Sequence, residues 1–309
     1  MKILIIRPAA LGDTLMLMPA IAQLEHSTKI VLVGRSPGLD FLKPYVRHAI
    51  DFEGSGWHQL FLEKHDAFHA LSVTKVDIIV AFLSDPDGSV TRNLKSYLPT
   101  TSVHLFPAFP PKEAKVHVAF YLAQCLQLAG LPIDPRKSLE EAYGRPLLER
   151  KGPAMQHEKM VFHPGSGGKG KNHPPDFWIE LIKESRKSLF LGSNHFILLL
   201  GPAERRLHPL FTKNLLYEEA EIVYSPEGEK LLSLLRQASL YIGHDSGITH
   251  LAAMLGAPTI ALFRNSPVLQ WSPLGPTVKV IESDKSRPGL TKDILKEARE
   301  LTGRIRNSS

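Results

Sequence analysis

The chain has 309 residues, of which 43% are hydrophobic and 22% charged, and its 37 Lys and Arg against 31 Asp and Glu give a net charge of +6. That length suits two domains of ordinary size, each able to bury its own core, and no run approaches the roughly 20 apolar residues that a membrane span needs. The single cysteine, Cys125, excludes an internal disulfide and sits in an apolar helical pattern that reads as a buried thiol. The basic residues are dispersed, without an aromatic-interleaved stripe, so the positive charge points to a phosphorylated small molecule or an anionic lipid surface and ranks nucleic acid low.

Met1–Ile6 is an apolar run with one Lys, as expected of a strand buried on both faces of a parallel sheet. The opening MKILIIRPAALGD has no small-residue cleavage site behind a longer apolar core, which predicts a cytoplasmic chain, at most peripheral to the inner membrane. After Arg7-Pro8 a helix is expected from Asp13 and Thr14, with Leu15, Met18, Ile21, Ala22 and Leu24 as its apolar face and a kink at Pro19. Strands follow at Ile30–Gly34, Asp77–Phe82 and, more weakly, Val103–Phe106, with a helix at Val116–Leu128. This alternation is the signature of a doubly wound parallel sheet.

Leu131–His157, with scattered Pro, Gly and charge, reads as a linker. The alternation then restarts: strand Lys159–Phe162, helix Phe177–Leu189, strand Phe196–Gly201, helix from Glu204, strand Ile222–Tyr224, helix Gly228–Gln237, strand Ala238–Ile242, helix Ile248–Gly256 and strand Pro258–Phe263. A capped amphipathic helix at Thr291–Gly303, with Ile294, Leu295, Ala298 and Leu301 inward, and a frayed RIRNSS end complete the chain. The expected organisation is an α/β chain of two Rossmann-like domains, 1–150 and 151–290, followed by a C-terminal helix and tail at 291–309.

Ligands in open α/β sheets bind outside the carboxyl ends of the strands, so the polar loops there are the candidate site. In YIGHDSGITHLAAMLG (241–256) a strand meets a polar Gly-containing turn and a helix start, which can hold a phosphate through unpaired N–H groups and the helix dipole. Plain helix capping by Asp245, Ser246 or Thr249 is the competing reading. Asp245, Ser246 and His250 do not read as a hydrolase triad, because no G-x-S-x-G elbow is present. His244 and His250 lack the i, i+4 spacing and the third ligand of a metal site, so no metal is assigned.

Four stretches in order, RPAALGDTLMLMPAI, HPGSGGKGKNHPP, LLGPAE and GHDSGITHLAAMLGAPTIALF, resemble glycosyltransferase family 9, which includes the lipopolysaccharide heptosyltransferases. The resemblance implies a glycosyltransferase-B fold with an interdomain active-site cleft, acceptor on the N-terminal domain and nucleotide sugar, ADP-heptose, on the C-terminal domain. It implies inversion at the anomeric carbon without a metal or other cofactor. Matched residue by residue, Asp13 of the LGD motif is the general base, with plain helix capping as its alternative. Lys171 holds the donor phosphate, with Lys169 two residues earlier as an alternative register. Ser166 bonds a phosphate oxygen or stabilises its turn, and Glu204 accepts the ribose hydroxyls or serves as a first-turn helix acid. Asp245 bonds sugar hydroxyls and the amides of Ser246 and Gly247 meet the diphosphate, while His250 faces the same pocket or packs in the core.

Two departures from the family pattern stand out. Arg264-Asn265-Ser266-Pro267 replaces a Gly-Pro-Thr run, which makes Arg264 a candidate charge-assisted phosphate contact, and Asn172-His173 stands where a Trp is common. The leading expectation is transfer of a heptose from ADP-heptose to a hydroxyl of the lipopolysaccharide inner core or a similar lipid-linked glycan. A transferase of the same fold using another nucleotide sugar, and a non-catalytic nucleotide-sugar binding module, are the alternatives. Residues 35–115, where acceptor recognition is expected, carry no legible motif.

Overall fold

A computed structural model describes residues 1–24, 28–54, 56–63, 71, 73, 75–111, 113–148, 159–188, 195–216, 218–283 and 288–306. The chain divides into two compact units, Met1–Glu141 and Ala142–Ser309, where the sequence suggested a boundary at 150. Among the described residues no helix is long and apolar enough to cross a membrane.

In the first unit the strands are β1 (Lys2–Arg7), β2 (Lys29–Gly34), β3 (His48–Asp51), β4 (Ile78–Phe82) and β5 (Ser102–Phe106). They form one sheet in the order β3-β2-β1-β4-β5, with every pairing parallel. Ile3, Leu4, Ile5 and Ile6 are fully buried, as a strand covered on both faces requires. The helices are α1 (Leu11–Leu15), α2 (Met18–Ile21), α3 (Gly38–Leu42), α4 (Ser89–Tyr97) and α5 (Val118–Leu128), and α6 (Pro135–Gly144) begins in this unit and ends in the second.

Two expectations are corrected here. The single helix kinked at Pro19 is instead α1 and α2, separated at Met16-Leu17, with Pro19 in the first turn of α2. Proline is tolerated there because a first-turn N–H has no intrahelical partner to lose. The supposed linker 131–157 contains α6, whose start is fixed by Asp134 Oδ1 accepting from the amides of Arg136 (2.9 Å) and Lys137 (3.2 Å) with Pro135 in the first turn. Residues 149–157 of that stretch lie outside the described residues.

The second unit contains β6 (Lys159–His163), α7 (Pro175–Lys187), β7 (His195–Leu200), α8 (His208–Asn214), β8 (Glu221–Tyr224) and α9 (Gly228–Arg236). Then come β9 (Ala238–His244), α10 (Gly247–Met254), β10 (Thr259–Phe263), α11 (Val268–Trp271), β11 (Val278–Glu282) and α12 (Leu290–Arg306). The sheet order is β11-β10-β9-β6-β7-β8, all parallel, the same winding as in the first unit with one more strand. The helix expected from Glu204 starts at His208, and Pro202–Glu204 is a single 3-10 turn before it. Leu189, the expected end of α7, and 307–309 of the tail lie outside the described residues.

α12 completes the core of the second unit. Ile294, Leu295, Ala298 and Leu301 join Phe162, Trp178, Leu198, Leu240 and Ile260 in one apolar cluster, so the amphipathic pattern of the last helix is spent on burial. Ile294 is fully buried. Ile294→Ala is expected to destabilise the second unit by about 2–5 kcal/mol, read as faster hydrogen exchange in β6, β9 and β10 with the first unit's strands unchanged.

Candidate functional site

In the second sheet the winding reverses direction between β9 and β6, and the strand ends on either side of that point carry most of the expected residues. β9 ends in His244, and Asp245 and Ser246 lead directly into α10. Ser246 is the N-cap, its Oγ accepting from the Thr249 amide (3.3 Å) and lying 3.0 Å from Thr249 Oγ1. Gly247 opens the helix. The Ser246 side chain closes the turn as a cap, and the helix start keeps its dipole.

Asp245 is 6% exposed and faces two cations or potential cations. Lys171 Nζ lies 2.6 Å from its Oδ2, and His250 Nε2 lies 3.6 Å from its Oδ1. Burial opposes the charge on Asp245, yet His250 and Lys171 outweigh it and hold the carboxyl well below the usual carboxylate range. His250 is buried, and its Nδ1 has no hydrogen-bond partner among the described residues.

Lys171 ends a 3-10 turn, Lys169–Lys171, in the loop between β6 and α7; the side chain of Lys169 is outside those described. Ser166 Oγ bonds the Asn172 side chain and the Gly168 carbonyl (3.1 Å), so this hydroxyl closes the loop on itself. From the end of β10, buried Arg264 donates through Nη1 to the Asn172 carbonyl, and Asn265 Nδ2 donates to the Gly170 carbonyl (3.0 Å). Arg264 thus grips the Lys171 loop.

Glu204, which closes the 3-10 turn after β7, is 5% exposed and accepts from the Gly201 amide at 3.0 Å. Burial raises its carboxyl, partly offset by the backbone amides of Gly201 and Glu204. A Cβ on Gly165 would lie 2.4 Å from the Glu204 carboxylate, so the β6 loop needs glycine there to let the acid approach.

Sequence reading gave no role to the histidines beneath this surface. His163, ending β6, lies 3.0 Å from Tyr241 Oη and 3.4 Å from Ser246 Oγ through Nδ1. His244 Nδ1 is 2.9 Å from the Pro164 carbonyl, and its Nε2 accepts from the His173 amide at 2.9 Å. His173 packs at a tilt against Phe177 (4.4 Å), stacks on His244 (5.4 Å) and meets Ser283 Oγ at 2.9 Å. Burial lowers His163 and His173 to about 4 and His244 to about 3, with Arg264 adding to the effect on His173 and the neighbouring His173 adding to that on His244. The available signal was positional: His163 and His244 each end an apolar strand, where a polar side chain is buried at the sheet's edge of chemistry.

In the first unit, Asp13 stands in the first turn of α1, three residues beyond the N-cap Ala10, so it is not the cap residue. It is partly exposed. The residue the sequence did not single out is Arg7, fully buried at the end of β1. Its Nε donates to the Asp13 carbonyl (3.0 Å) and its Nη1 to the Ala108 carbonyl (2.8 Å), with the rings of Phe82 and Phe109 5.3 and 5.5 Å away. Burial lowers the guanidinium to about 10, with Asp13 acting in the opposite sense, so it remains a cation that ties down the Asp13 turn. Ser166, Lys171, Glu204, Asp245, Ser246, Gly247, His250 and Arg264 all lie in the second unit, while Asp13 belongs to the first. Among the described residues, no group of three or more His, Cys, Asp or Glu could hold a metal ion.

The model of glycosyltransferase family 9 (heptosyltransferase) matches residues 107–298, more than half of the chain. No curated protein matches the chain by sequence. Among solved structures, the chain is similar to Escherichia coli ADP-heptose lps heptosyltransferase II (TM-score 0.69, 16% identity, covering 99% of this chain and 100% of that one). It is also similar to E. coli heptosyltransferase WaaC with ADP (0.67, 16%, 98% and 100%). A third similar structure is the iron-containing dodecameric glycosyltransferase TibC from enterotoxigenic E. coli (0.55, 14%, 99% and 76%). At these identities the likeness establishes the fold, two Rossmann-like units of the glycosyltransferase-B class.

The three low histidines make a pH prediction. Unfolded imidazoles take protons near pH 6.5, whereas these take them at about 4, 4 and 3, so below 6.5 the unfolded chain binds more protons and stability falls with pH. The second unit is expected to lose stability as pH drops from about 6.5 through about 4. Hydrogen exchange across that window checks it: equal loss of protection in both units would remove the histidines as the cause.

Proposed function

The chain belongs to glycosyltransferase family 9 and is a glycosyltransferase; from that premise we propose that it moves a heptose from ADP-heptose to a hydroxyl of the lipopolysaccharide inner core, with inversion and without a metal. The observation that carries the donor half of this reading is the Lys171–Asp245 pair beside the start of α10, at the reversal point of the second sheet. Cation, carboxylate and helix dipole meet where a diphosphate and its sugar need opposite kinds of contact.

In the proposed reaction Glu204 accepts the ribose hydroxyls, and the amides at Ser246 and Gly247 receive the diphosphate. Lys171 neutralises charge as the anomeric C–O bond to the phosphate breaks, and Asp245 bonds the sugar hydroxyls. Asp13 takes the proton of the acceptor hydroxyl as its oxygen bonds to the opposite face of the anomeric carbon, and ADP leaves with the bonding pair. A carboxylate suits this step because the hydroxyl becomes acidic only as the new bond forms. Arg7 contributes by fixing the backbone of the Asp13 turn. The net positive charge fits an acceptor bearing phosphate and carboxylate at the cytoplasmic face of the inner membrane, where the protein would bind peripherally.

Asp13→Ala is expected to reduce transfer at least about a hundredfold while ADP affinity stays within about twofold, since general-base removal affects the chemical step. Transfer within a few fold of wild type would refute the assignment. Lys171→Ala is expected to weaken ADP binding about tenfold, the loss of one charge-assisted contact, measured by calorimetry alongside UDP and GDP. Preference for UDP or GDP would move the protein to another nucleotide sugar. Transfer from ADP-heptose to truncated lipopolysaccharide is expected to proceed unchanged in excess chelator; a loss restored by iron or another metal would overturn the metal-free step.

A further inference from the structure

The loop that carries Ser166 and Lys171 has four glycines, Gly165, Gly167, Gly168 and Gly170, within PGSGGKGKNH. Such a segment has much conformational freedom to lose, so the position of Lys171 depends on what anchors the loop's ends. One side chain touches both ends. The His173 amide can only donate, so His244 Nε2 is the acceptor of that bond, and the proton therefore sits on Nδ1 and is given to the Pro164 carbonyl. The ring has no exposed surface and is held edge-on to Trp178 (centroids 5.0 Å apart) and stacked on His173 (5.4 Å). Its own carbonyl accepts from Thr249 Oγ1 in α10. The next residue in the chain is Asp245, the partner of Lys171.

We propose that His244 is a positioning residue for the donor site: its neutral imidazole clamps both ends of the glycine-rich loop and thereby sets Lys171 opposite Asp245. Among the described residues, the other side chains from outside the loop that hold it, those of Arg264, Asn265, Ser283 and Asp245, reach its later half, at Asn172, Gly170, His173 and Lys171. Of all these side chains only His244 bonds its first residue, Pro164. The inference rests on the reading of Lys171 as a contact for the donor diphosphate.

The test uses two amides that differ by one methylene. In His244→Gln the side-chain oxygen reaches the place of Nε2 and can accept from the His173 amide; in His244→Asn the amide reaches only the place of Nδ1 and keeps the Pro164 end. The readouts on the full chain are hydrogen exchange at the His173 amide and calorimetric affinity for ADP, with Lys171→Ala measured in parallel. His244→Gln, which keeps the His173 amide protected but loses the Pro164 end, is expected to weaken ADP at least about tenfold, while His244→Asn exposes the His173 amide, keeps the Pro164 end and binds within about threefold of wild type because Arg264 and Asn265 still hold the later half. A purely structural histidine would treat the two amides alike, so equal losses overturn the proposal. It is also overturned, with the donor reading intact, if His244→Gln binds ADP normally while Lys171→Ala does not. If both bind normally, the donor reading of the loop fails and takes this proposal with it. Should His244→Gln fail to fold, His244→Asn decides: ADP within about threefold supports the clamp, and a loss beyond about tenfold overturns it.

Discussion

A strand buried on both faces of a parallel sheet has no room for chemistry along its length. Its polar side chains can appear only where it leaves the sheet, and in a parallel sheet all strands leave on the same side. That constraint organises the second unit: β6, β7, β9 and β10 end at His163, Leu200, His244 and Phe263, and the next few residues of each supply the Lys171 loop, Glu204, Asp245 and Arg264. The apolar runs and the polar cluster are two consequences of one packing arrangement.

Crowding polar groups at a buried edge requires that each be neutral or matched. The second unit uses both solutions. Asp245 stays ionised because Lys171 and His250 face it, whereas His163, His173 and His244 stay neutral and act as hydrogen-bonding spacers between loops. Tyr241 belongs with the spacers: its hydroxyl joins His163 to Thr249 (3.0 and 3.1 Å), and its ring leaves no space for a Cβ on Gly243, 2.6 Å from that hydroxyl. An imidazole suits such a position since it can donate at one nitrogen and accept at the other while its ring packs against aromatic neighbours, His244 at a right angle to Trp178 and His173 at a tilt to Phe177.

The first unit solves the same problem with a cation. Arg7 is fully buried at the end of β1, and its guanidinium is satisfied in part by the carbonyls of Asp13 and Ala108 and by two aromatic rings. The arrangement links the strand end to the short helix that bears the proposed base, a helix of five residues too short to fix its own position.

The sequence by itself determined the alternation of strands and helices, the two doubly wound units, the family, and the loops that hold polar residues, because apolar runs of strand length and Gly-containing strand-to-helix turns are local patterns. It missed β3 and β11, edge strands with half-exposed sequences and no apolar run, and it read α6 as linker because Pro135 marks a helix start as well as a break. Only the tertiary structure decided which loops meet. Lys171 and Asp245 are 74 positions apart, and His244 reaches Pro164 across 80. No periodicity records a contact at that separation, so the roles of His163, His173, His244 and Arg7 depend on which strand ends the sheet order makes neighbours.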